Sequence, residues 1–208
     1  MLTTLPNLLT LSRIVAVPLV IVTFYWPDPP YGPWLGCVLF AAAGFTDWLD
    51  GRLARLWKQQ SELGRFLDPI ADKLLVAAIL FMLGARHLRQ PQVSFADLTV
   101  SFILPALVIL SREILVSGLR EHLATLRVRL PVSRLAKWKT GIQMVAIGAL
   151  LVGDSGPEFL HVIRIGEILL WAAAVLTLIT GYDYLRAGLT HMSDEAPAGN
   201  AVKSSGTS

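Results

Sequence analysis

The sequence predicts an all-α membrane protein of six transmembrane helices, with a short interfacial helix at its N-terminus. Three observations carry that expectation. Of 208 residues, 54% are apolar and 16% charged, and the mean hydropathy is positive; a soluble domain of this length shows more charge and shorter apolar runs. Six apolar stretches recur, each long enough at about 1.5 Å per residue to cross ~30 Å of hydrocarbon. They leave no room for a separate soluble domain, so residues 1–190 read as one transmembrane domain and 191–208 as a disordered polar tail.

The elements follow in order. Leu5-Pro6-Asn7 opens a helix, since proline suits a first turn and asparagine can cap it. Thr3 to Arg13 forms the interfacial piece, and Ile14 to Trp26 the first span. Trp26-Pro-Asp-Pro-Pro-Tyr31-Gly-Pro-Trp34 breaks the helix with aromatics suited to a membrane surface. Further spans run from Trp34 to Leu56, Gly64 to Leu88, Leu98 to Leu123 with a kink at Pro105, Ser133 to Val152, and Phe159 to Leu189. Gly153-Asp-Ser-Gly-Pro157 reads as a turn. The start, Met1 to Pro6, lacks the positive leader of a cleaved signal peptide. The lone Cys37 lies in an apolar run and reads as a packing residue. His87, His122, His161 and His191 show no ligand spacing.

Six spans put both termini on one side. The loops around Arg52–Arg65 and Arg120–Lys139 share that side and hold ten basic residues: Arg52, Arg55, Lys58, Arg65, Arg120, Arg127, Arg129, Arg134, Lys137 and Lys139. The opposite loops hold Arg86, Arg89 and Arg164, offset by acidic residues. The excess of positive charge on cytoplasmic loops places the termini in the cytoplasm.

The same side carries four aspartates at the borders of apolar sequence. Asp47, Asp50, Gly51, Ala54 and Arg55 fall at helical spacing on one face; Gly64, Asp68 and Asp72 step by four on the next helix. A short loop between two helices can bring the carboxylates together. Four such groups repel one another unless cations neutralise them. Oxygen ligands select Mg²⁺, or Mn²⁺, over zinc, and two ions in such a cluster suit displacement at phosphorus. Gly51 and Gly64 leave room for close approach, and Arg55 can pair with a phosphate. Solvated caps or ion pairs with Arg52, Arg55, Arg65 and Lys73 would explain one or two of these aspartates. Four on two faces, with glycines between them, points to function.

The run Asp-x2-Asp-Gly-x2-Ala-Arg-x8-Gly-x3-Asp-x3-Asp resembles, without departure, the signature of the CDP-alcohol phosphotransferase family, whose six-span architecture also fits most of the chain. The resemblance implies that Asp47, Asp50, Asp68 and Asp72 hold two metal ions, with Asp68 bridging them and Asp72 also acting as general base. It implies that Gly51, Arg55 and Ser61 bind the CDP moiety of CDP-diacylglycerol. Asn7, Thr10 and Arg13 resemble the nucleotide-contacting N-terminus of the family, less specifically. It implies too a homodimer, in the bacterial inner membrane, with the active site facing the cytoplasm.

Ser111-Arg112-Glu113, Ser117-Gly118-Leu-Arg120 and Lys137-Trp-Lys139-Thr140-Gly-Ile-Gln143 look like the phosphatidylglycerophosphate-forming branch. Its acceptor is sn-glycerol 3-phosphate, which would receive the phosphatidyl group and release CMP. The residues point the same way, because a phosphorylated acceptor needs cations beyond those the metals neutralise. Arg112, Arg120, Lys137 and Lys139 are the candidates, with Glu113 orienting one of them. Arg127 and Arg129 read instead as anchors on membrane lipid headgroups. The alternatives are another acceptor, such as inositol phosphate or serine, or a cation transporter using the aspartates as an ion path. An aspartate-rich prenyltransferase would need a larger bundle. No nucleic-acid partner is expected.

Overall fold

The structure is a computed structural model, and it describes residues 5–26, 31–57, 62–89, 94–125 and 134–194. Every regular element among them is helical: α1 Leu5–Thr23, α2 Tyr31–Trp57, α3 Glu62–Leu88, α4 Phe95–Leu98, α5 Leu104–Thr125, α6 Arg134–Val152 and α7 Val162–Asp194. A π-helical turn, Thr99–Ile103, joins α4 to α5, and short 3₁₀ turns lie between α6 and α7. Three helical stretches, Phe95–Ala124, Leu135–Ser155 and Glu158–Arg186, are long and apolar enough to cross a membrane; Leu8–Thr23 is a shorter apolar helix.

The N-terminus departs from expectation. No break separates an interfacial piece from a first span: α1 runs unbroken from Leu5 to Thr23, with Pro6 in its first turn and Pro18 inside it. Nothing between Asn7 and Val17 interrupts a helix, and Thr10 and Arg13 bury one face of that stretch. At the other end α7 continues to Asp194, so His191 to Asp194, expected in the tail, are helical. No proline precedes them to stop the helix. The rest of the tail lies outside the described residues.

The distortion expected at Pro105 takes the form of the π-turn before it. The Leu104 N–H reaches back five residues to the Thr99 carbonyl. In that register the Val100 carbonyl would next receive the N–H of Pro105, which proline lacks. The Trp171 indole N–H on α7 donates to Val100 instead, at 3.0 Å, so the carbonyl is not left unpaired.

α1 packs on α2 and α3, α2 on α6, and α7 on both α5 and α6. The shared core includes Val20, Phe40, Ile79, Leu83, Phe102, Ile109, Ile147 and Leu170. Small residues set the closest approaches: a Cβ on Gly166 would lie 2.7 Å from Leu150 Cγ, so α6 and α7 meet there only because glycine stands at that position. This packing brings the end of α2, the start of α3, the end of α5, the start of α6 and the end of α7 to one end of the bundle.

Candidate active site

Asp47 sits near the end of α2, and Asp68 and Asp72 one turn apart at the start of α3. Pro69 lies inside α3, beyond its first turn, where proline removes one hydrogen bond of the helix. The three carboxylates converge on one cation, the Arg13 guanidinium of α1. Arg13 Nη1 donates to Asp47 and to Asp72, each across 2.5 Å, and Nη2 lies 3.4 Å from Asp68. Thr10, one turn before Arg13, donates its hydroxyl to the same Asp68 oxygen. The arginine side chain is 1% exposed, whereas the carboxylates are 42–47% exposed. The cation is therefore sealed in, and the acids face it from an open side.

Among the described residues, no three carboxylate, imidazole or thiolate groups are grouped as a metal site by themselves. The guanidinium lies between them. Its position tests whether the donors suit a metal: carboxylate oxygens from two helices, aimed at one buried positive charge, are the hard donor set that a divalent ion takes. Asp50, Gly51 and Arg55 lie on the last turns of α2, and Asn7 on the first turn of α1, but their side chains are outside the described part of the structure, as is Ser61 altogether. Gly64 is buried on α3. Two of the cations considered as bland partners are engaged elsewhere: Lys73 donates to the Pro69 carbonyl at 2.7 Å, and Arg52 lies over the Trp48 ring.

Asp47 and Asp72 also line a cavity of about 840 Å³ with mostly apolar walls from α2, α3, α5 and α6. Its far wall carries Glu113, Ser117 and Glu121 of α5 and Thr140 and Gln143 of α6. Behind that wall stand the candidate acceptor cations. Lys139 is buried and ion-paired with Glu113. Arg112 lies 3.9 Å from the same carboxylate and donates to the Thr180 hydroxyl on α7 at 3.0 Å. Arg120 is exposed on α5, stacked on Tyr184. Lys137 is exposed at the start of α6.

So the structure gathers Asp47, Asp68, Asp72, Thr10 and Arg13 in one place, and Arg112, Arg120 and Lys139 in a second around Glu113, which lines the cavity together with Asp47 and Asp72. Two contributors have no signal in the sequence reading: Tyr184 and Thr180 share a face of α7 at a spacing of four, hidden in an apolar run. Gln143, part of the run from Lys137 that carries the resemblance, is buried at the cavity with its Oε1 unpaired among the described residues.

Comparison with known proteins adds an independent finding. Residues 3–179 match the CDP-alcohol phosphatidyltransferase family. Three relatives carry the name CDP-diacylglycerol–glycerol-3-phosphate 3-phosphatidyltransferase. That of Rickettsia bellii is 46% identical, covering 88% of this chain and 94% of the relative. That of Cereibacter sphaeroides is 38% identical over 92% and 98%. That of Haemophilus influenzae is 38% identical over 91% and 96%.

Proposed function

The chain belongs to the CDP-alcohol phosphatidyltransferase family, and from that premise we propose that it transfers the phosphatidyl group of CDP-diacylglycerol to sn-glycerol 3-phosphate, giving phosphatidylglycerophosphate and CMP. The observation that carries the site is the convergence of Asp47, Asp68 and Asp72 on one cation at the wall of a cavity between apolar helices. The names of the relatives supply the donor and the acceptor.

In this proposal Asp47, Asp50, Asp68 and Asp72 would hold two Mg²⁺ ions, or Mn²⁺ in their place. Bound ions supply charge neutralisation for the diphosphate and for the departing CMP. Gly51, Arg55, Ser61, Asn7 and Thr10 take the nucleotide part. Arg13 starts on the carboxylates, and the diphosphate competes for it. The acyl chains stay among the apolar helices, which fits a donor entering from the lipid. Asp72 faces the cavity and takes the proton from the 1-hydroxyl of the acceptor as that oxygen attacks in line. Arg112, Arg120, Lys137 and Lys139 hold the acceptor phosphate, with Glu113 fixing Lys139. Six spans, a homodimer and a site on the cytoplasmic face of the bacterial inner membrane complete the proposal. Its supports are two further helices, α2 and α3, each of 27 residues or about 40 Å, and the basic residues at the same end as the aspartates.

A cation path would need carboxylates spread through the membrane depth; here Asp47, Asp68 and Asp72 gather on one arginine at one end of the bundle. The deciding experiment offers CDP-diacylglycerol to the purified protein with glycerol 3-phosphate, inositol phosphate, serine or no acceptor, with Mg²⁺ and with EDTA. CMP release only with glycerol 3-phosphate and Mg²⁺ is expected. Release with serine or inositol phosphate alone would move the protein to another branch of the family.

A further inference from the structure

We infer that α7 carries a seat, built from Gly181 and Tyr184, that holds Arg112 and Arg120 together to receive the phosphate dianion of the acceptor. The inference rests on the proposal that these arginines bind that phosphate. Three features of one helical turn define the seat. Thr180 Oγ1 accepts a hydrogen bond from Arg112 Nη2 at 3.0 Å. At Gly181 a Cβ would stand 2.9 Å from Arg112 Cγ and 3.3 Å from its Nε, so the arginine lies in the groove that the missing side chain leaves. One turn on, Tyr184 is 6% exposed, and its ring centre lies 5.7 Å from the Arg112 guanidinium carbon and 5.6 Å from that of Arg120.

Two guanidinium groups on one ring is an uncommon arrangement, because the cations repel. The negative face of the ring offsets part of that repulsion and holds both groups near it. Among the described residues, no carboxylate pairs with Arg120, and Arg112 Nε has no hydrogen-bond partner. Two fixed cations with donors to spare suit a phosphomonoester, which carries close to two negative charges and accepts forked hydrogen bonds. The pair stands beside the cavity that Asp47 and Asp72 face, not in its lining: Glu113, Ser117 and Glu121 of α5 line it, and Glu113 lies 3.9 Å from Arg112. Tyr184 and Gly181 are thus positioning residues, acting through the arginines.

The same chemistry would serve a lipid headgroup phosphate, so the test separates the two sources. The full chain is reconstituted in nanodiscs of phosphatidylcholine, with CDP-diacylglycerol saturating and glycerol 3-phosphate varied. Tyr184→Leu is expected to raise KM for glycerol 3-phosphate about fivefold to thirtyfold, the size of one or two cation–π contacts. Its kcat and its KM for CDP-diacylglycerol stay within about twofold. Tyr184→Phe, which keeps the ring face, restores the wild-type KM. Gly181→Ala, which displaces Arg112, raises KM for glycerol 3-phosphate as well, and decides the matter if Tyr184→Leu fails to fold. If Arg112→Gln raises that KM while Tyr184→Leu and Gly181→Ala do not, the seat is overturned and the acceptor site stands. Should Arg112→Gln and Arg120→Gln both leave it unchanged, the acceptor assignment itself falls. Adding phosphatidylglycerol to the discs would then show whether the pair serves headgroups, by a stability gain that Tyr184→Leu abolishes.

Discussion

Arg13→Gln offers the sharpest test of the aspartate site, because the arginine is the cation on which three acids converge. Removing one member of a buried ion pair typically costs about 3–5 kcal/mol, as the partner is left uncompensated. Here the arginine is sealed but the acids are 42–47% exposed. Water therefore recovers a share of the loss, as it does for surface pairs, and we expect about 2 kcal/mol in the absence of divalent ions. For a chain of this size each kcal/mol moves the unfolding midpoint by roughly 2–4 °C. The variant should thus melt about 4–8 °C below wild type in EDTA.

Adding Mg²⁺ turns this into a test of what the acids are for. A ligand that binds only the folded state stabilises it in proportion to RT ln(1 + [L]/Kd). Wild type must displace its guanidinium to load metal; Arg13→Gln need not. The variant should therefore gain more from millimolar Mg²⁺ than wild type does, closing most of the gap. The assay is thermal unfolding in one detergent, with EDTA and with Mg²⁺. A variant that melts with wild type in EDTA would refute the convergence on Arg13. An equal Mg²⁺ gain in both proteins would refute competition between arginine and metal for the same carboxylates.

Two further outcomes follow from the geometry. Asp72→Asn keeps a hydrogen-bond acceptor for Arg13 and should fold and insert, yet lose about 10²–10⁴-fold in CMP release, the usual cost of an oriented base; near-normal release would take Asp72 out of that role. Gly166→Ala forces a Cβ within 2.7 Å of Leu150 Cγ and 3.3 Å of its backbone nitrogen, and should cost about 1–3 kcal/mol by overpacking. Gly44→Ala meets only the terminal methyl of Met144, which can swing away, and should cost well under half as much in the same unfolding assay.

The all-helical class and most helix limits were legible because apolar runs and breakers are local signals. Gly153 to Pro157 marks a turn by composition alone, whereas α2 already begins at Tyr31, inside the stretch to Trp34 expected to break the helix, and 27–30 lie outside the described residues. The aspartate face was legible for the same reason: helical spacing places Asp47 on one helix and Asp68 and Asp72 on the next, although α2 and α3 come together through α1, which packs on both, rather than by packing on each other. What spacing could not give is the third helix. That Arg13 of α1 reaches between them depends on α1 packing on both α2 and α3, a tertiary outcome. The extent of α1 was missed because polar Thr10 and Arg13 suggested an interface, whereas they are polar toward the carboxylates. The seat on α7 was missed because Gly181 and Tyr184 acquire meaning only from what α5 lays against them.

The placement of charge within the bundle follows from the substrate the family membership brings with it. A nucleotide-linked lipid carries its diphosphate where its acyl chains end, so the groups that meet it must stand at the border of the apolar layer, not within it. Charges there are affordable only in mutually neutralising sets. The described site contains two such sets near one cavity, which Asp47 and Asp72 of the first and Glu113 of the second line. The acidic one closes on Arg13; the basic one closes on Glu113 and Tyr184. Each set is partly satisfied before any ligand arrives, which keeps the bundle folded without substrate. Each also keeps an open side: exposed carboxylate oxygens in one, and the outward face of the paired guanidinium groups in the other. In the proposed function a donor diphosphate with its cations takes the first and a phosphorylated alcohol the second, so the two substrates would meet at the cavity that Asp47, Asp72 and Glu113 line.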